Sequence, residues 1–396
     1  MTTGVTAPLG FRAAAVAAGI KPDRLDLALL VADRPCAAAG VFTANLAQAA
    51  PVIVSREHLR GGRARAVVVN AGCANAATGA GGLDDAREMA SVAARAVGCP
   101  VEEVVVASTG VIGVRLPMEK VRRGIVEAAG RLEPGGGASA ARAILTTDTK
   151  PKEVAVELRV GSAAAVVGAM AKGAGMIAPN MATMLAFFTT DATVERVLLG
   201  RALREAVGDS LNRITVDGDT STNDCAFVLA SGARPGAMVD REGPGFDAFR
   251  QALAEAGRQL ARLLVRDGEG VTRIAEVRVE GARTEAEADR IARTVAESPL
   301  VKTALHGGDP NWGRILAAVG RAGVPLDVGR VSVWIGDVQV AEKGAFREYD
   351  EKVAAAAMRE DPVRLRVFLG EGRATSWMWT SDLSRGYVDI NAHYRS

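Results

Sequence analysis

The interpretation of the fold depends on the segment Lys172-Gly-Ala-Gly-Met-Ile-Ala-Pro-Asn-Met-Ala-Thr183-Met-Leu185, in which small uncharged residues separate one lysine from one threonine. The bond between Ala182 and Thr183 is of a kind that a chain can cut by itself. The Thr183 hydroxyl would attack the preceding carbonyl, an N-to-O acyl shift would give an ester, and water would release it. Thr183 would then begin a new chain, with its hydroxyl as nucleophile and its own α-amine as base.

The same segment also has an ordinary structural interpretation. The sequence Ala-Thr-Met-Leu-Ala-Phe-Phe, residues 182–188, is typical of a buried strand, because threonine is common in strands. Glycine and proline before such a run often mark only a turn. The segment alone therefore leaves both interpretations open, and the rest of the chain has to decide between them.

Strands and helices alternate along the chain. Short apolar runs predict strands at Leu27–Val31, Pro51–Val54, Ala66–Val69, Val104–Val106 and Val331–Ile335. Apolar residues at helical spacing predict helices at Asp84–Val97, Pro117–Ala129, Ala140–Leu145, Phe246–Val265, Thr284–Glu297 and Lys352–Arg359. The order lacks the regular β-α-β spacing of a parallel dinucleotide-binding fold, so it favours an α+β layered fold.

Composition narrows the class of protein. The 396 residues carry a formal net charge of +2, too little for a large uniform field that would grip nucleic acid. None of the four cysteines lies in a Cys-x-x-Cys pair, which argues against a metal site and a disulfide framework. The most apolar region, Gly173–Phe188, is too short to span a bilayer comfortably, and no signal peptide is visible. We therefore expect a cytoplasmic protein without a metal or a membrane segment.

Three polar groups in the first half of the chain could carry chemistry. Thr109-Gly110 follows a predicted strand directly and could offer donors to a developing oxyanion, although Ser-Thr-Gly is also a common turn. Thr146-Thr147-Asp148-Thr149 could bind a polar substrate or form a plain loop. Lys172 lies among glycines and alanines and needs an anionic partner, either a substrate carboxylate or a structural acid.

Two more polar groups lie in the second half. The residues 217–224, Asp-Gly-Asp-Thr-Ser-Thr-Asn-Asp, lack the spacing and distal glutamate of a calcium loop, so they predict a supporting polar turn. Glu269 is flanked by glycines and could hold a substrate ammonium, or it could be a solvated turn residue.

Taken together and in this order, the segments resemble the ornithine acetyltransferase family of arginine biosynthesis, also called glutamate N-acetyltransferase. The resemblance runs nearly end to end. Its motifs are Gly4–Phe11, Ala39–Asn45, Asn70–Gly79, Ser108–Gly113, Lys172–Leu185, Asp217–Asp224, Asp267–Gly270, Asn311–Ile315 and Tyr387–Arg395. Each motif alone is unspecific, but their shared order is highly specific.

The resemblance implies roles for particular residues. Thr183 matches the self-released nucleophile, and Thr109 with Gly110 matches the oxyanion-hole pair. The positions that match substrate-binding residues are Thr146, Lys172, Thr183, Glu269, Asn391 and Ser396. Neighbouring threonines leave Thr147 as an alternative to Thr146. Ser396 keeps a hydroxyl where many family members end in threonine.

The resemblance also implies a reaction. The acetyl group of N2-acetylornithine would pass to Thr183 and then to L-glutamate, by ping-pong transfer through an acetyl ester. No cofactor is expected, and the motifs leave open whether acetyl-CoA is a second donor. One rival is a self-cleaved aminopeptidase or amidase with the same nucleophile. Another is an uncleaved binding protein, which would stay intact and form no acyl-enzyme.

The fold and assembly implied by the resemblance are those of self-cleaving N-terminal-nucleophile proteins. We expect a layered α/β sandwich with a smaller C-terminal α/β domain from about residue 275 to 396. Cleavage would give an α chain of residues 1–182 and a β chain of residues 183–396. Two copies of each chain are expected to form an α2β2 heterotetramer.

Overall fold

A computed structural model of the chain describes residues 4–178 and 184–393. The strands of this part are β1 (Phe11–Val16), β2 (Leu27–Phe42), β3 (Arg63–Cys73), β4 (Val104–Val111), β5 (Lys152–Val160), β6 (Ala163–Lys172), β7 (Leu185–Thr190), β8 (Thr193–Val194), β9 (Ile214–Thr215), β10 (Cys225–Ala230), β11 (Met238–Val239), β12 (Ile274–Ala282), β13 (Ser332–Ile335), β14 (Val338–Glu342), β15 (Ala345–Phe346), β16 (Val363–Phe368) and β17 (Ala374–Ser381).

The α-helices of the same part are α1 (Ala50–His58), α2 (Gly79–Val97), α3 (Met118–Ala129), α4 (Gly137–Ala143), α5 (Arg196–Gly208), α6 (Pro244–Arg266), α7 (Glu285–Ala296), α8 (Pro299–Gly307), α9 (Trp312–Gly320), α10 (Glu351–Ala357) and α11 (Arg385–His393). These elements fall into two compact units. Of the described residues, the first unit contains 4–178, 184–212 and 219–264, and the second contains 213–218 and 265–393.

The first unit is built on one mixed sheet with the strand order β4-β3-β2-β10-β7-β6-β5, and β1 also pairs with β2. The long strand β2 connects its two halves. Residues 27–31 of β2 pair with β3, whereas residues 37–42 pair with β10, and the register to β3 shifts between Val31 and Cys36. The pairs β3–β4 and β7–β10 are parallel.

Alternation along the strands produces the layers of this unit. The side chains of Leu27, Leu29 and Val31 pack in one cluster with helices α2 and α3. The intervening side chains belong to a second cluster that joins β2 and β3 to Phe187 of β7 and Phe227 of β10. The continuous apolar run at the start of β2 therefore serves two buried faces.

One predicted strand is wrong. The residues of Pro51–Val54 lie in helix α1, with Pro51 in its first turn. Proline fits there because the first N–H groups of a helix have no partner within it. Four apolar residues in a row do not distinguish a strand from a buried helical turn. The other predicted strands and helices are present, but β2 runs on from the predicted end at Val31 to Phe42, and the other ends differ by up to about five residues.

The second unit has a mixed sheet with the strand order β15-β14-β13-β16-β12-β17-β9. Helices α7, α8, α9 and α10 share one hydrophobic core with alternate residues of its strands, such as Val277 and Val279 of β12. The α+β layered architecture predicted from the sequence is thus confirmed. No helix of the described residues is both long and apolar enough to cross a bilayer.

Candidate active site

Thr109 and Gly110 lie near the end of β4, where that strand runs beside β3. Gly110 has a φ of +131°. A Cβ atom at this position would lie 2.3 Å from the carbonyl carbon of Gly72 and 2.6 Å from the amide nitrogen of Cys73. Only glycine permits this close approach of two backbones, so the last residues of β4 can lie against β3 at Gly110.

Lys172 connects three of the predicted site residues. It ends β6 and is nearly buried, with 9% of its surface exposed. Its Nζ donates to the Thr146 Oγ1 at 2.7 Å and to the Thr109 Oγ1 at 3.2 Å. The structure therefore brings together one ammonium and two hydroxyls from three residues to which the resemblance assigns roles. We call this group the lysine cluster.

Asp148 lies directly behind the lysine cluster. Its Oδ1 accepts from the Lys152 Nζ at 2.8 Å and from the Gly173 N–H at 2.6 Å. Its Oδ2 accepts from the Thr146 N–H at 3.1 Å and lies 3.9 Å from the Lys172 Nζ. The Asp148 side chain is fully buried. No sequence pattern indicates this role, because an aspartate among threonines is also typical of a solvated loop.

The charges around Asp148 decide its protonation. Burial alone would raise the pKa of the Asp148 carboxyl, but the Lys172 and Lys152 ammoniums and the bond from the Gly173 N–H outweigh it. The pKa of Asp148 is therefore lowered, and the side chain is a carboxylate at neutral pH. The single Asp148 carboxylate therefore faces two ammonium groups, those of Lys152 and Lys172.

Asp224 is also a buried acid, but its pKa is shifted in the opposite direction to that of Asp148. Its side chain is buried, and among residues 4–178 and 184–393 no group forms a hydrogen bond with its Oδ2. Burial raises the pKa of Asp224 well above its ordinary value, and the Ser221 hydrogen bonds and the Lys172 charge do not compensate for it. Burial therefore favours the protonated form of the Asp224 carboxyl. Its neighbour Cys225 donates its backbone N–H to the Met184 carbonyl at 3.0 Å.

In the second unit, two other predicted residues meet. The Asn391 Nδ2 donates to the Glu269 Oε2 at 2.8 Å and to the Tyr387 carbonyl at 3.0 Å. Glu269 is buried, with 7% exposed, whereas Asn391 lies on the exposed helix α11. The Tyr387 hydroxyl also lies 3.4 Å from the Asp217 Oδ2. The structure thus places Glu269 in a polar setting with Asn391.

A close approach of two backbones holds Glu269 next to helix α11. Gly270 has a φ of +68°, and a Cβ atom there would lie 2.2 Å from the Tyr387 amide nitrogen. The Ser384 hydroxyl donates to the Gly270 carbonyl at 2.5 Å. We call this contact between Gly270 and the start of α11 the glycine clasp.

Three predicted residues, Ala182, Thr183 and Ser396, lie outside the described residues. The chain on both sides of the predicted cleavage site is described. Strand β6 ends at Lys172 and strand β7 begins at Leu185, and these two residues are register partners in an antiparallel pair. The last residue of β6 and the first residue of β7 therefore lie side by side in the sheet, and Lys172 belongs to the lysine cluster.

A model of the ArgJ family matches residues 12–396 of the chain. The chain belongs to the ArgJ family. The arginine biosynthesis bifunctional protein ArgJ of Symbiobacterium thermophilum is 51% identical, covering 99% of this chain and 98% of that protein. The protein of the same name from Geobacter sulfurreducens is 48% identical and covers 98% of this chain and 99% of its own.

A solved member of the ArgJ family gives a matching structure. The crystal structure of arginine biosynthesis bifunctional protein ArgJ from Bacillus halodurans superposes with a TM-score of 0.51 at 40% identity. The match covers 52% of this chain and 98% of that chain. Membership of the ArgJ family makes the chain a member of an enzyme family of arginine biosynthesis, as the sequence motifs predicted.

Proposed function

We propose that the protein transfers the acetyl group of N2-acetylornithine to L-glutamate, giving ornithine and N-acetylglutamate. The lysine cluster carries the proposal, because a buried ammonium with two hydroxyls suits the carboxylate that both amino acids share. The buried Glu269 carboxylate suits an ammonium group of the substrate. Membership of the ArgJ family supports the same reaction class.

The proposed nucleophile is Thr183, released by self-cleavage between Ala182 and Thr183. Its hydroxyl attacks the acetyl carbonyl while its α-amine takes the proton. The backbone and hydroxyl of Thr109 and the N–H of Gly110 stabilise the tetrahedral oxyanion. Ornithine leaves with the proton, and an acetyl ester remains on Thr183. The amine of glutamate then attacks this ester and restores the free hydroxyl.

The acetyl ester of the proposed mechanism must be shielded from water. The ester survives until glutamate arrives only if water is kept from it, which buried apolar neighbours favour. Residues next to the cleavage site in the sheet are buried, including Leu185 and Ala186. The proposed reaction needs no metal or dissociable cofactor. We further propose an α2β2 assembly in the cytoplasm, as the family resemblance implies.

A second donor is proposed because the relatives in Symbiobacterium thermophilum and Geobacter sulfurreducens are both called bifunctional. Acetyl-CoA would acylate the same threonine and leave as the free thiol, after which glutamate would accept the acetyl group. Both activities would then share one acyl-enzyme. Steady-state transfer from acetyl-CoA to glutamate, measured without acetylornithine, distinguishes a bifunctional from a monofunctional enzyme.

The proposed transfer is tested by trapping the intermediate. The purified protein is mixed with acetyl-labelled N2-acetylornithine alone, quenched in acid and examined by intact-mass spectrometry. We expect one acetyl group on the fragment that begins with Thr183, and its loss as N-acetylglutamate when glutamate is added. Release of labelled acetate without N-acetylglutamate would instead support the amidase rival, and no acylation of any fragment would contradict both.

A further inference from the structure

We propose that Asp148 is a positioning residue, which holds the Lys172 ammonium and the Thr146 hydroxyl in the geometry that receives the substrate carboxylate. This inference rests on the proposed function of the lysine cluster. Asp148 touches none of the reacting atoms in the proposed mechanism. It acts through the two residues that do contact substrate.

The first argument is the way in which Asp148 connects the two segments of the cluster. Thr146 lies in the loop after α4, whereas Lys172 and Gly173 lie at the end of β6. One carboxylate accepts the N–H of Thr146 and the N–H of Gly173, at 3.1 and 2.6 Å. The backbone on both sides of the Lys172–Thr146 hydrogen bond is therefore fixed by the same side chain.

The second argument is electrostatic. An ammonium that is nearly buried needs an anion close by, and the Asp148 Oδ2 lies 3.9 Å from the Lys172 Nζ. Lys152 takes the closer oxygen at 2.8 Å, so one carboxylate faces two ammoniums. The Lys172 Nζ also donates to the Thr146 and Thr109 hydroxyls, and we place the substrate carboxylate on that side of the ammonium.

Hydrogen-bond chemistry makes aspartate necessary at this position. The four groups around the carboxylate are two ammoniums and two backbone N–H groups, and all of them are donors. A carboxylate offers only acceptors, whereas the amide of asparagine would turn its NH2 toward one of those donors. The Asp148→Asn variant therefore removes the charge and at least one hydrogen bond at nearly constant volume.

The rival interpretation is that Asp148 serves only as the counter-ion of Lys152, which is fully buried. The double variant Asp148→Asn/Lys152→Met separates the two. It removes the second ammonium together with the carboxylate, so no unpaired Lys152 charge remains. If Asp148 matters only to Lys152, this double variant restores normal kinetics.

A matched control comes from Asp191, also fully buried in the same unit. Its carboxylate pairs with Arg234 at 3.0 Å and accepts the Val166 N–H at 2.9 Å, away from the lysine cluster. Asp191→Asn therefore removes a buried carboxylate charge, as Asp148→Asn does, but at a site outside the lysine cluster. Any kinetic effect that both single variants share is a general effect on folding.

The test measures KM and kcat for acetylornithine and glutamate in the wild type, Asp148→Asn, Asp191→Asn and the double variant. We expect Asp148→Asn and the double variant to raise KM for both substrates at least about ten-fold, as loss of a charged hydrogen bond does. We expect Asp191→Asn to leave KM within about two-fold of the wild type, because its charge lies away from the cluster. Wild-type KM in the double variant would overturn the inference.

A second readout does not depend on turnover. The chain has eight lysines, so the Cε signals of isotopically labelled lysine can be followed by NMR against pH, with Lys172→Met assigning one of them. We expect the Lys172 signal to titrate at a lower pH in both Asp148 variants than in the wild type, and to stay unchanged in Asp191→Asn. An unchanged titration in the Asp148 variants would overturn the inference. A wild type without transferase activity would contradict only the proposed function.

Discussion

At the scale of single residues, the lysine cluster contains a nearly buried ammonium group, which needs polar or anionic partners. A lysine in apolar company is stable only with anionic or acceptor partners, and Lys172 has the Thr146 and Thr109 hydroxyls and the carboxylate of Asp148. The cluster therefore suits a small molecule that carries a carboxylate.

Replacing Lys172 by methionine keeps most of the side-chain volume and removes the charge. A hydrogen bond to a charged group contributes roughly 1.5–3 kcal/mol, so we expect KM for both amino acids to rise about ten- to hundred-fold. The exposed Lys120, which bonds only to the Gly19 carbonyl among the described contacts, provides the control Lys120→Met. Equal KM values in the two variants would contradict the role of Lys172.

Asp224 gives a prediction about pH. The unfolded carboxyl loses its proton near 3.8, whereas burial raises the pKa of folded Asp224 well above this value. The folded state thus binds more protons in that window, and its stability falls as pH rises through it. Asparagine cannot ionise, so we expect the stability of Asp224→Asn not to fall with pH in this window.

The measurement is the denaturant midpoint of the wild type and Asp224→Asn at pH 5 and pH 8. The midpoint of the variant should improve relative to the wild type at the higher pH. The same difference between Asp224→Asn and the wild type at both pH values would show that Asp224 is ionised in the folded protein.

At the scale of elements, most helices and strands were predictable because their apolar spacing is regular. The stripe predicted over Phe246–Val265 is helix α6 (Pro244–Arg266), with Phe249, Leu253 and Leu260 buried. The helix predicted from Thr284 begins at Glu285, and the Thr284 hydroxyl accepts the Glu287 N–H at 3.2 Å as its N-cap.

What sequence patterns could not supply were contacts between distant segments. The run Pro51–Val54 is too short to show a helical period, so its sequence also fits a strand. It lies in α1, and its burial there depends on neighbours far along the chain. The role of Asp148 could not be predicted for the same reason, since its partners Gly173 and Lys172 lie 24 or more positions away along the chain. Thr109, Thr146 and Lys172 are predictable as site residues only from the order of the motifs, because their local sequence also fits ordinary turns and loops.

The glycine clasp is the element-scale feature that can be broken by one methyl group. In Gly270→Ala the Cβ atom would lie 2.2 Å from the Tyr387 nitrogen, so Glu269 and α11 must move apart. Positive φ alone costs about 1–2 kcal/mol for alanine. We therefore expect lower stability together with a higher KM for both substrates.

Gly98→Ala is the matched control for the clasp. Gly98 has a φ of +69°, nearly that of Gly270, but a Cβ atom there would meet no neighbour within 4 Å. It should lose stability through backbone strain and keep its KM. Steady-state kinetics and denaturant midpoints of both variants separate strain from displacement, and a normal KM in Gly270→Ala would contradict a positioning role for the clasp.

At the scale of the whole molecule, the predicted cut falls in the sequence between two paired strands of one sheet. Strand β6 precedes it and strand β7 follows it, with Lys172 opposite Leu185. Strand β10, after the cut, also pairs with β2 before it. We expect the two fragments to elute together in native size-exclusion chromatography and to separate only in denaturant, since main-chain pairing and the buried cluster between the strands hold them. Fragments that separate in native buffer would contradict this topology.

The central claim is that Thr183 becomes the first residue of a new chain and acts as the nucleophile. Denaturing intact-mass spectrometry with N-terminal sequencing tests it directly, with Thr183→Ala as the control that cannot cut. We predict two fragments from the wild type, one of which begins Thr-Met-Leu-Ala-Phe-Phe, and one intact chain from the variant. A wild-type chain that stays intact after long incubation would leave Thr183 without a free amine and would contradict the proposed mechanism.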